Sequence, residues 1–205
     1  MKTRKLLIAT HNPAKFEELK KGVKSTLGIK VEIFSLDDLR ISRKPKETGT
    51  TFEENVLIKA KYYADLAGMP TIADDGGLII KVLKNEPGVK SRRWPGYEAN
   101  DEKLINYTLE KLRGLPKEKK AAYLKTVVCF YHPQTKTTLC EDGKIEGYIA
   151  DKPSKKRIKG YPYRALFIVK KYGKYYDELT DAEHKETNHR LKAIRKLAKK
   201  IDAFL

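Results

Sequence analysis

Hydrophobic and polar residues alternate along this chain with two different spacings, and the changes of spacing predict an alternating α/β order. Short apolar runs bounded by polar residues predict strands, which fall at Leu6–Ala9, Val31–Phe34, Thr71–Ala73, Leu78–Val82, Ala121–Tyr131, Thr137–Ile149 and Arg164–Lys170. Apolar residues three or four positions apart predict helices, which follow Asn12, cover about Phe52–Ala67, run from Asn100 to near Leu112 and follow Thr180. We therefore expect a mixed β-sheet with flanking helices in one domain over residues 1–205, with no internal linker.

Local capping residues support the predicted helix starts. Asn12 is placed to act as an N-cap, and Pro13 follows it in the first helical position. Two pairs have the three-residue spacing of a capping box, Thr51 with Glu54 and Thr180 with Glu183. Gly68 is placed to end the second helix.

The turn between the first strand and the first helix has the chemistry of a phosphate site. Thr10, Asn12 and Lys15 gather there, and a helix N-terminus favours an anion. An ordinary structural explanation stays open for each residue, because Thr10 ends a strand, Asn12 is a cap and Lys15 is compatible with a solvated position. These three residues alone do not decide between the two explanations.

The chain carries two adjacent aspartates, Asp74 and Asp75, at the end of a predicted strand and before two glycines. We expect a turn from Asp74 to Gly77, and a solvated turn is the alternative to a functional one. Neighbouring strand residues point to opposite faces, so we expect one aspartate to meet a ligand and the other to brace the loop. Carboxylates beside a phosphate site favour a bridging Mg²⁺. Further candidate ligands for this ion are Glu47, Glu53 and Glu54. Capping explains Glu54 equally well, and Glu53 suits a solvated helix position.

The chain has a formal net charge of +17, from 44 Lys and Arg against 27 Asp and Glu. Both a polyanion-binding surface and a lysine-rich solvated exterior fit this charge. Cys129 and Cys140 lack neighbours at metal-ligand spacing, so we expect two reduced thiols. No apolar stretch is long enough to span a membrane and the N-terminal segment does not have the form of a signal peptide, so we expect a cytoplasmic protein.

Five motifs in order along nearly the whole chain resemble the inosine/xanthosine triphosphate pyrophosphatase, or Ham1-type, family. They are Ala9–Glu18, Glu47–Asn55 with Lys59 and Ala60, Ala73–Leu78, Pro87–Arg93 and Asn188–Arg190. The resemblance implies an elongated α/β fold with two lobes around a central nucleotide cleft, and a homodimer. It also implies Mg²⁺-dependent hydrolysis of ITP, dITP and XTP to the monophosphate and pyrophosphate.

The resemblance further implies roles for individual residues. Glu47 and Asp75 would hold the metal, and Asp75 would activate the attacking water. The substrate-binding residues would be Thr10, Asn12, Lys15, Gly76, Arg93, Tyr161, Lys185, His189 and Arg190. For Arg93, His189 and Arg190, an ordinary surface position is the alternative that the residues alone leave open.

Three departures from the family pattern concern the substrate more than the reaction. Gly76 stands where the family usually has serine. In the base-pocket turn, which here is Gly160–Arg164 and two residues longer, Pro162 stands where aspartate is expected. His184 stands in place of a lysine, with Lys185 next to it. Loss of polar partners weakens base discrimination, although Tyr161, Tyr163 or Arg164 could rebuild the pocket.

Two functions from different classes fit these observations. The first is a nucleoside triphosphate pyrophosphatase that removes deaminated purine nucleotides. The alternative is a basic nucleic-acid or nucleotide-binding protein on the same scaffold with altered base specificity, and we expect no sequence-specific nucleic-acid binding. Asp74 and Asp75 favour the enzyme, because a polyanion-binding surface has no use for paired carboxylates.

Overall fold

A computed structural model describes residues 4–27 and 31–205. The strands in these ranges are β1 (Arg4–Ala9), β2 (Val31–Ser35), β3 (Thr71–Ile80), β4 (Glu86–Pro87), β5 (Ala121–Tyr131), β6 (Thr138–Ile149), β7 (Phe167–Val169) and β8 (Lys174–Tyr175). The α-helices are α1 (Pro13–Lys24), α2 (Phe52–Ala67), α3 (Asp101–Lys111), α4 (Asp181–Thr187) and α5 (His189–Ile201). Short 3₁₀ helices lie at Lys81–Leu83, Gly88–Arg93, Lys117–Lys120, Pro162–Ala165, Tyr176–Glu178 and Asp202–Phe204.

The strands form one mixed sheet, which confirms the predicted α/β class. Its hydrogen-bonded order is β2-β1-β3-β5-β6-β7-β8, and β4 pairs with β3. β1 is parallel to β2 and β3, whereas β4 is antiparallel to β3 and β7 is antiparallel to β6 and β8. Across the described residues, we find no helix with the length and apolar character needed to cross a membrane.

The described residues form two compact units, each with its own hydrophobic core. The first unit lies within residues 1–75, 126–143 and 189–205, and the second within 76–125 and 144–188. This division does not test the prediction of one domain with two lobes, which stays a prediction.

In the first unit, one face of β1 packs against α1 and α5. Leu6 and Ile8 are fully buried in one cluster with Leu19 of α1 and with Ile194 and Leu197 of α5. Leu6 and Ile8 share this face because alternate strand residues point to the same side. The core of the second unit gathers large side chains, among them Leu78, Trp94, Leu104, Phe167 and Tyr176.

The predicted helix caps are confirmed. Asn12 caps α1, and Pro13 occupies its first position. Asn100 caps α3. Thr51 with Glu54 and Thr180 with Glu183 form complete capping boxes, and Gly68 ends α2 in the left-handed conformation with φ of 65°.

Three predicted elements differ from the structure. The predicted turn from Asp74 to Gly77 is wrong, because β3 continues through these residues as one strand. The predicted single C-terminal helix is interrupted at Asn188, whose ψ of 105° ends α4 before α5 begins. The strand predicted at Arg164–Lys170 is shorter, because a 3₁₀ helix covers its first residues.

Cys129 and Cys140 form a disulfide, so the prediction of two reduced thiols is wrong. Cys129 lies on β5 and Cys140 on β6, where the backbone N–H of His132 donates to the carbonyl of Thr137 at the hairpin turn. Their Cα atoms are 4.1 Å apart, as for residues directly opposite each other on antiparallel strands. This juxtaposition depends on the pairing register of the hairpin, which the spacing of the two cysteines does not determine.

Candidate active site

The start of α1 in the first unit is held by its own cap. The Asn12 side-chain oxygen accepts from the backbone N–H groups of Ala14 and Lys15 at 3.0 and 3.3 Å. The Thr10 hydroxyl oxygen accepts from the backbone N–H of Asn12 at 3.2 Å. Because the cap uses these first N–H groups, the main charge that this turn offers an anion is the Lys15 ammonium.

Asp74 is the buried centre of an ion-pair network that joins β3, α1 and α5. Its Oδ2 lies 3.0 Å from Lys15 Nζ and accepts from Arg190 Nε at 3.2 Å. The Arg190 Nη1 also donates to Glu18 Oε2 at 2.7 Å. Lys15 and Arg190 therefore contact the same Asp74 oxygen, and their roles in substrate binding stay predictions.

The charges around Asp74 determine its protonation. Burial acts to raise the pKa of the Asp74 carboxyl, but Lys15, Arg190 and Lys59 outweigh burial and hold that pKa well below its usual range. Burial lowers the pKa of the Lys15 ammonium, although Asp74 acts in the opposite direction. Asp74 is therefore a fixed negative charge at neutral pH.

Asp75 points to a different partner, as alternation along β3 requires. Its Oδ1 accepts from Lys59 Nζ at 3.0 Å, and the same ammonium lies 3.7 Å from Glu47 Oε1. Burial raises the pKa of the Asp75 carboxyl, and Glu47 adds to this effect, against the opposing charges of Lys59 and Lys15. The two adjacent aspartates thus have pKa values shifted in opposite directions, which is typical of carboxylates with different roles.

The oxygens of Glu47 and Asp75 fit a hard divalent cation. Both carboxylates converge on one ammonium, and Asp75 Oδ2 is buried without a hydrogen-bond partner in the described part of the chain. Residues 4–27 and 31–205 contain no group of three or more His, Cys, Asp or Glu side chains placed to hold a metal. Mg²⁺ commonly takes one or two carboxylates together with phosphate oxygens, so two protein ligands suffice.

The other acidic candidates are placed differently. Glu54 Oε2 accepts from the backbone N–H groups of Thr50 and Thr51 at 2.6 and 3.3 Å, so it serves the helix cap. Glu53 is exposed in the first turn of α2. Glu47, in contrast, shares the partner Lys59 with Asp75.

Two charged residues at this site received no role from the sequence. Lys59 and Glu18 both fall inside motifs that carry the family resemblance, and each pairs with a candidate site residue. The sequence contained a signal for Lys59, which lies on the apolar face of a predicted helix. A buried ammonium there requires a carboxylate partner.

His189 begins α5 and is buried, with 3% of its surface exposed. The close approach of Gly143 on β6 permits this position, because a Cβ at Gly143 would lie 2.3 Å from the His189 carbonyl oxygen. Nothing in the sequence around Gly143 indicated this contact. His189 and Arg190, both predicted to bind substrate, are thus both buried in the first unit.

Four predicted site residues belong to the second unit and lie on different elements. Gly76 follows Asp75 in β3, and Arg93 is exposed at the end of a 3₁₀ helix. Tyr161 is 9% exposed, and Lys185 is exposed on α4. Their roles in substrate binding stay predictions.

Two of the three residues that depart from the family pattern, Pro162 and His184, lie on elements that contact Tyr176 within the second unit. Pro162 begins a buried 3₁₀ helix, in which the Arg164 guanidinium carbon lies 3.5 Å from the Tyr161 ring centroid and 4.7 Å from that of Tyr176. The His184 ring meets Tyr176 edge-on at 5.0 Å. An aromatic cluster around an arginine therefore occupies the region where the family pattern changes.

Comparisons with known proteins identify the family of this chain. The model of the Ham1 family matches residues 6–200. The dITP/XTP pyrophosphatase of Thermoanaerobacter sp. (strain X514) is 43% identical over 197 residues, covering 94% of each chain, and that of Bacillus subtilis (strain 168) is 38% identical, covering 96% of each. The solved structure of a HAM1 protein from Coxiella burnetii has a TM-score of 0.84 at 28% identity, covering 98% of this chain and 100% of that one. The chain therefore belongs to the Ham1 family.

Proposed function

We propose that this chain is a nucleoside triphosphate pyrophosphatase that hydrolyses noncanonical purine nucleoside triphosphates, namely ITP, dITP and XTP, with Mg²⁺. The observation that carries the proposal is the aspartate pair of β3, in which Asp74 pairs with Lys15 and Arg190 while Asp75 lies near Glu47 through Lys59. The dITP/XTP pyrophosphatases to which the chain is similar support the same reaction.

The cations of the first unit bind the triphosphate. Lys15 and Arg190 lie on the same Asp74 oxygen, so both positive charges are fixed before the substrate arrives. Fixed charges stabilise the phosphoryl-transfer transition state without a cost of reorganisation at the moment of reaction. Lys15 and Arg190 therefore orient the phosphate chain.

Asp75 acts as the general base. Its Oδ2 accepts a proton from water, the water oxygen bonds to the α-phosphorus, and the bond from that phosphorus to the bridging oxygen of the β-phosphate breaks. The products are the nucleoside monophosphate and pyrophosphate, so one water is consumed for each triphosphate. Asp75 Oδ2 suits this role because it is buried and makes no hydrogen bond in the described part of the chain.

Glu47 and Asp75 would hold the metal through their carboxylate oxygens. When bound, Mg²⁺ would neutralise charge on the phosphate oxygens. Lys59 balances the two carboxylates in the structure described, and these opposite charges outweigh burial and raise the pKa of its ammonium. The proposal also includes a homodimer, which the family resemblance implies, and a cytoplasmic location.

A panel of triphosphates tests the proposed reaction. We expect pyrophosphate release from ITP, dITP and XTP with Mg²⁺, a lower kcat/KM for ATP and GTP, and loss of the activity with a chelator. Stoichiometric monophosphate and pyrophosphate distinguish this reaction from stepwise release of orthophosphate. No pyrophosphate from any of the five nucleotides would refute the proposed function.

Replacing Lys15 with alanine is expected to weaken binding of inorganic pyrophosphate by on the order of tenfold or more, the range for loss of a hydrogen bond to a charged group. Arg190 still neutralises Asp74 in this variant, so we expect the melting temperature to fall less than the affinity suggests. Isothermal titration with pyrophosphate and a thermal melt make the two measurements.

Lys20→Ala is the matched control, because Lys20 lies on the same helix and pairs with Glu17 at 3.7 Å. Equal pyrophosphate affinity in the Lys15→Ala and Lys20→Ala variants would remove Lys15 from the phosphate site.

A further inference from the structure

Helix α2 presents three side chains, spaced four residues apart, to the segment that carries Glu47. The Asn55 side-chain oxygen accepts from the backbone N–H of Gly49 at 2.8 Å, Lys59 Nζ lies 3.7 Å from Glu47 Oε1, and the Tyr63 hydroxyl donates to the backbone carbonyl of Arg43 at 3.1 Å. Residues four apart lie on one face of a helix. This face therefore contacts the segment of residues 42–48 at Arg43 and Glu47, and it contacts Gly49 directly after that segment.

Residues 42–48 have few other supports. They form no helix or strand, and their backbone makes no hydrogen bond to another backbone group in the described part of the chain. The nearest such bond before them joins the N–H of Ile41 to the carbonyl of Leu36 at 2.8 Å. The position of Glu47 therefore depends on side chains of α2.

Tyr63 supports the beginning of this segment from a buried position. Its exposed fraction is 2%, so its hydroxyl is held by packing as well as by hydrogen bonds. Burial raises the pKa of Tyr63 to about 12, so the hydroxyl keeps its proton throughout the neutral range. The Tyr63 hydroxyl can therefore donate to the Arg43 carbonyl throughout the neutral pH range.

The same hydroxyl also reaches the β1–α1 turn. His11 Nε2 lies 3.1 Å from the Tyr63 oxygen. Because the only hydroxyl proton goes to the Arg43 carbonyl, His11 Nε2 must be the donor in this second bond. Tyr63 thus joins the segment before Glu47 to the turn between Thr10 and Asn12.

We propose that Tyr63 is a positioning residue for the divalent cation, acting by holding the 42–48 segment so that Glu47 faces Asp75. The inference rests on the proposed function, which supplies the cation. Without the hydroxyl, the Arg43 end of the segment gains freedom, and the cation must then order Glu47 when it binds. Ordering a flexible segment on binding lowers affinity without removing a ligand.

Tyr63→Phe in the full chain tests this role, because it removes the hydroxyl and keeps the buried ring. Electron paramagnetic resonance measures Mn²⁺ binding to the substrate-free protein, with and without inorganic pyrophosphate. We expect the affinity for Mn²⁺ to fall by about 3- to 10-fold in the variant, the range of one hydrogen bond. The Mg²⁺ concentration for half-maximal pyrophosphate release should rise by a similar factor, while kcat at saturating Mg²⁺ changes by less than about twofold.

Tyr62→Phe is the matched control. Tyr62 lies next to Tyr63 on α2 and meets its ring edge-on at 5.1 Å, but its hydroxyl makes no hydrogen bond in the described part of the chain. We expect this variant to bind Mn²⁺ as the unmodified protein does.

Three outcomes would overturn the inference. They are equal Mn²⁺ affinity in the Tyr63→Phe and Tyr62→Phe variants, a lower melting temperature of Tyr63→Phe with unchanged Mn²⁺ affinity, and no Mn²⁺ binding by the unmodified protein. Failure of the proposed function is a separate result, in which the unmodified protein releases no pyrophosphate. The Mn²⁺ measurements still decide the role of Tyr63 in that case.

Discussion

Asp75→Asn is expected to lower kcat for pyrophosphate release from ITP by about 10²–10⁴-fold, the usual contribution of a general base. The amide has nearly the same shape and its oxygen still accepts from Lys59, so the fold is retained. It accepts no proton from water and is a poor ligand for Mg²⁺. Steady-state kinetics at saturating ITP and Mg²⁺ measure the loss, with a thermal melt as the check on folding.

The pH profile of the unmodified protein provides a second view of Asp75. Because burial raises the pKa of the Asp75 carboxyl in the metal-free protein, protons should compete with Mg²⁺ at a higher pH than for an ordinary aspartate, and the rate at subsaturating Mg²⁺ should fall accordingly. Asp65→Asn is the matched control, since Asp65 is a largely exposed aspartate of α2. An Asp75→Asn variant that keeps more than half of the kcat would remove Asp75 from the mechanism.

The largest loss of stability is expected from Asp74→Asn. This change leaves Lys15 and Arg190 without their shared carboxylate, and breaking a buried ion pair costs about 3–5 kcal/mol. Urea unfolding of the variant and the unmodified protein measures the difference. Asp65→Asn should unfold at nearly the same urea concentration as the unmodified protein.

The stability contributed by Asp74 should depend on pH in one direction. Its pKa is lower in the folded protein than in the unfolded chain, so its contribution is fully present above the unfolded value of about 3.9 and is lost as pH falls toward the folded value. The difference between the unmodified protein and Asp74→Asn should therefore be greatest at neutral pH and shrink below about pH 4. A difference under about 1 kcal/mol at pH 7 would contradict the central place given to Asp74.

The elements that could be predicted from the sequence are those with local signals. Asn12, the two capping boxes and Gly68 determine helix ends through contacts within a few residues, and all are confirmed. Strand β3 was predicted incorrectly because Asp-Asp-Gly-Gly is a turn composition. In the folded protein, β3 continues through these residues, with Asp74 beside Lys15 and Arg190 and Asp75 beside Lys59.

Residue types and the family resemblance indicated Lys15, Asp75, Glu47 and Arg190 as site residues, and their roles stay predictions. The structure shows that Lys15 and Arg190 pair with Asp74 and that Glu47 and Asp75 share Lys59. The pairing of Arg190 with both Asp74 and Glu18 spans 116 and 172 residues, and no local pattern contains it. The disulfide was missed because it depends on which residues of the two hairpin strands lie opposite each other, and turn geometry as well as residue type decides that register.

The discontinuity of the first unit affects the order in which the protein matures during translation. Arg190 is made 116 residues after Asp74, which corresponds to roughly 6–23 seconds at ordinary elongation rates of about 5–20 residues per second. Until then a nascent chain carries Lys15, Glu18 and Asp74 without the guanidinium that joins them. A ribosome stalled within residues 76–188 therefore holds a chain whose phosphate site is incomplete, so activity should appear late in synthesis and all at once.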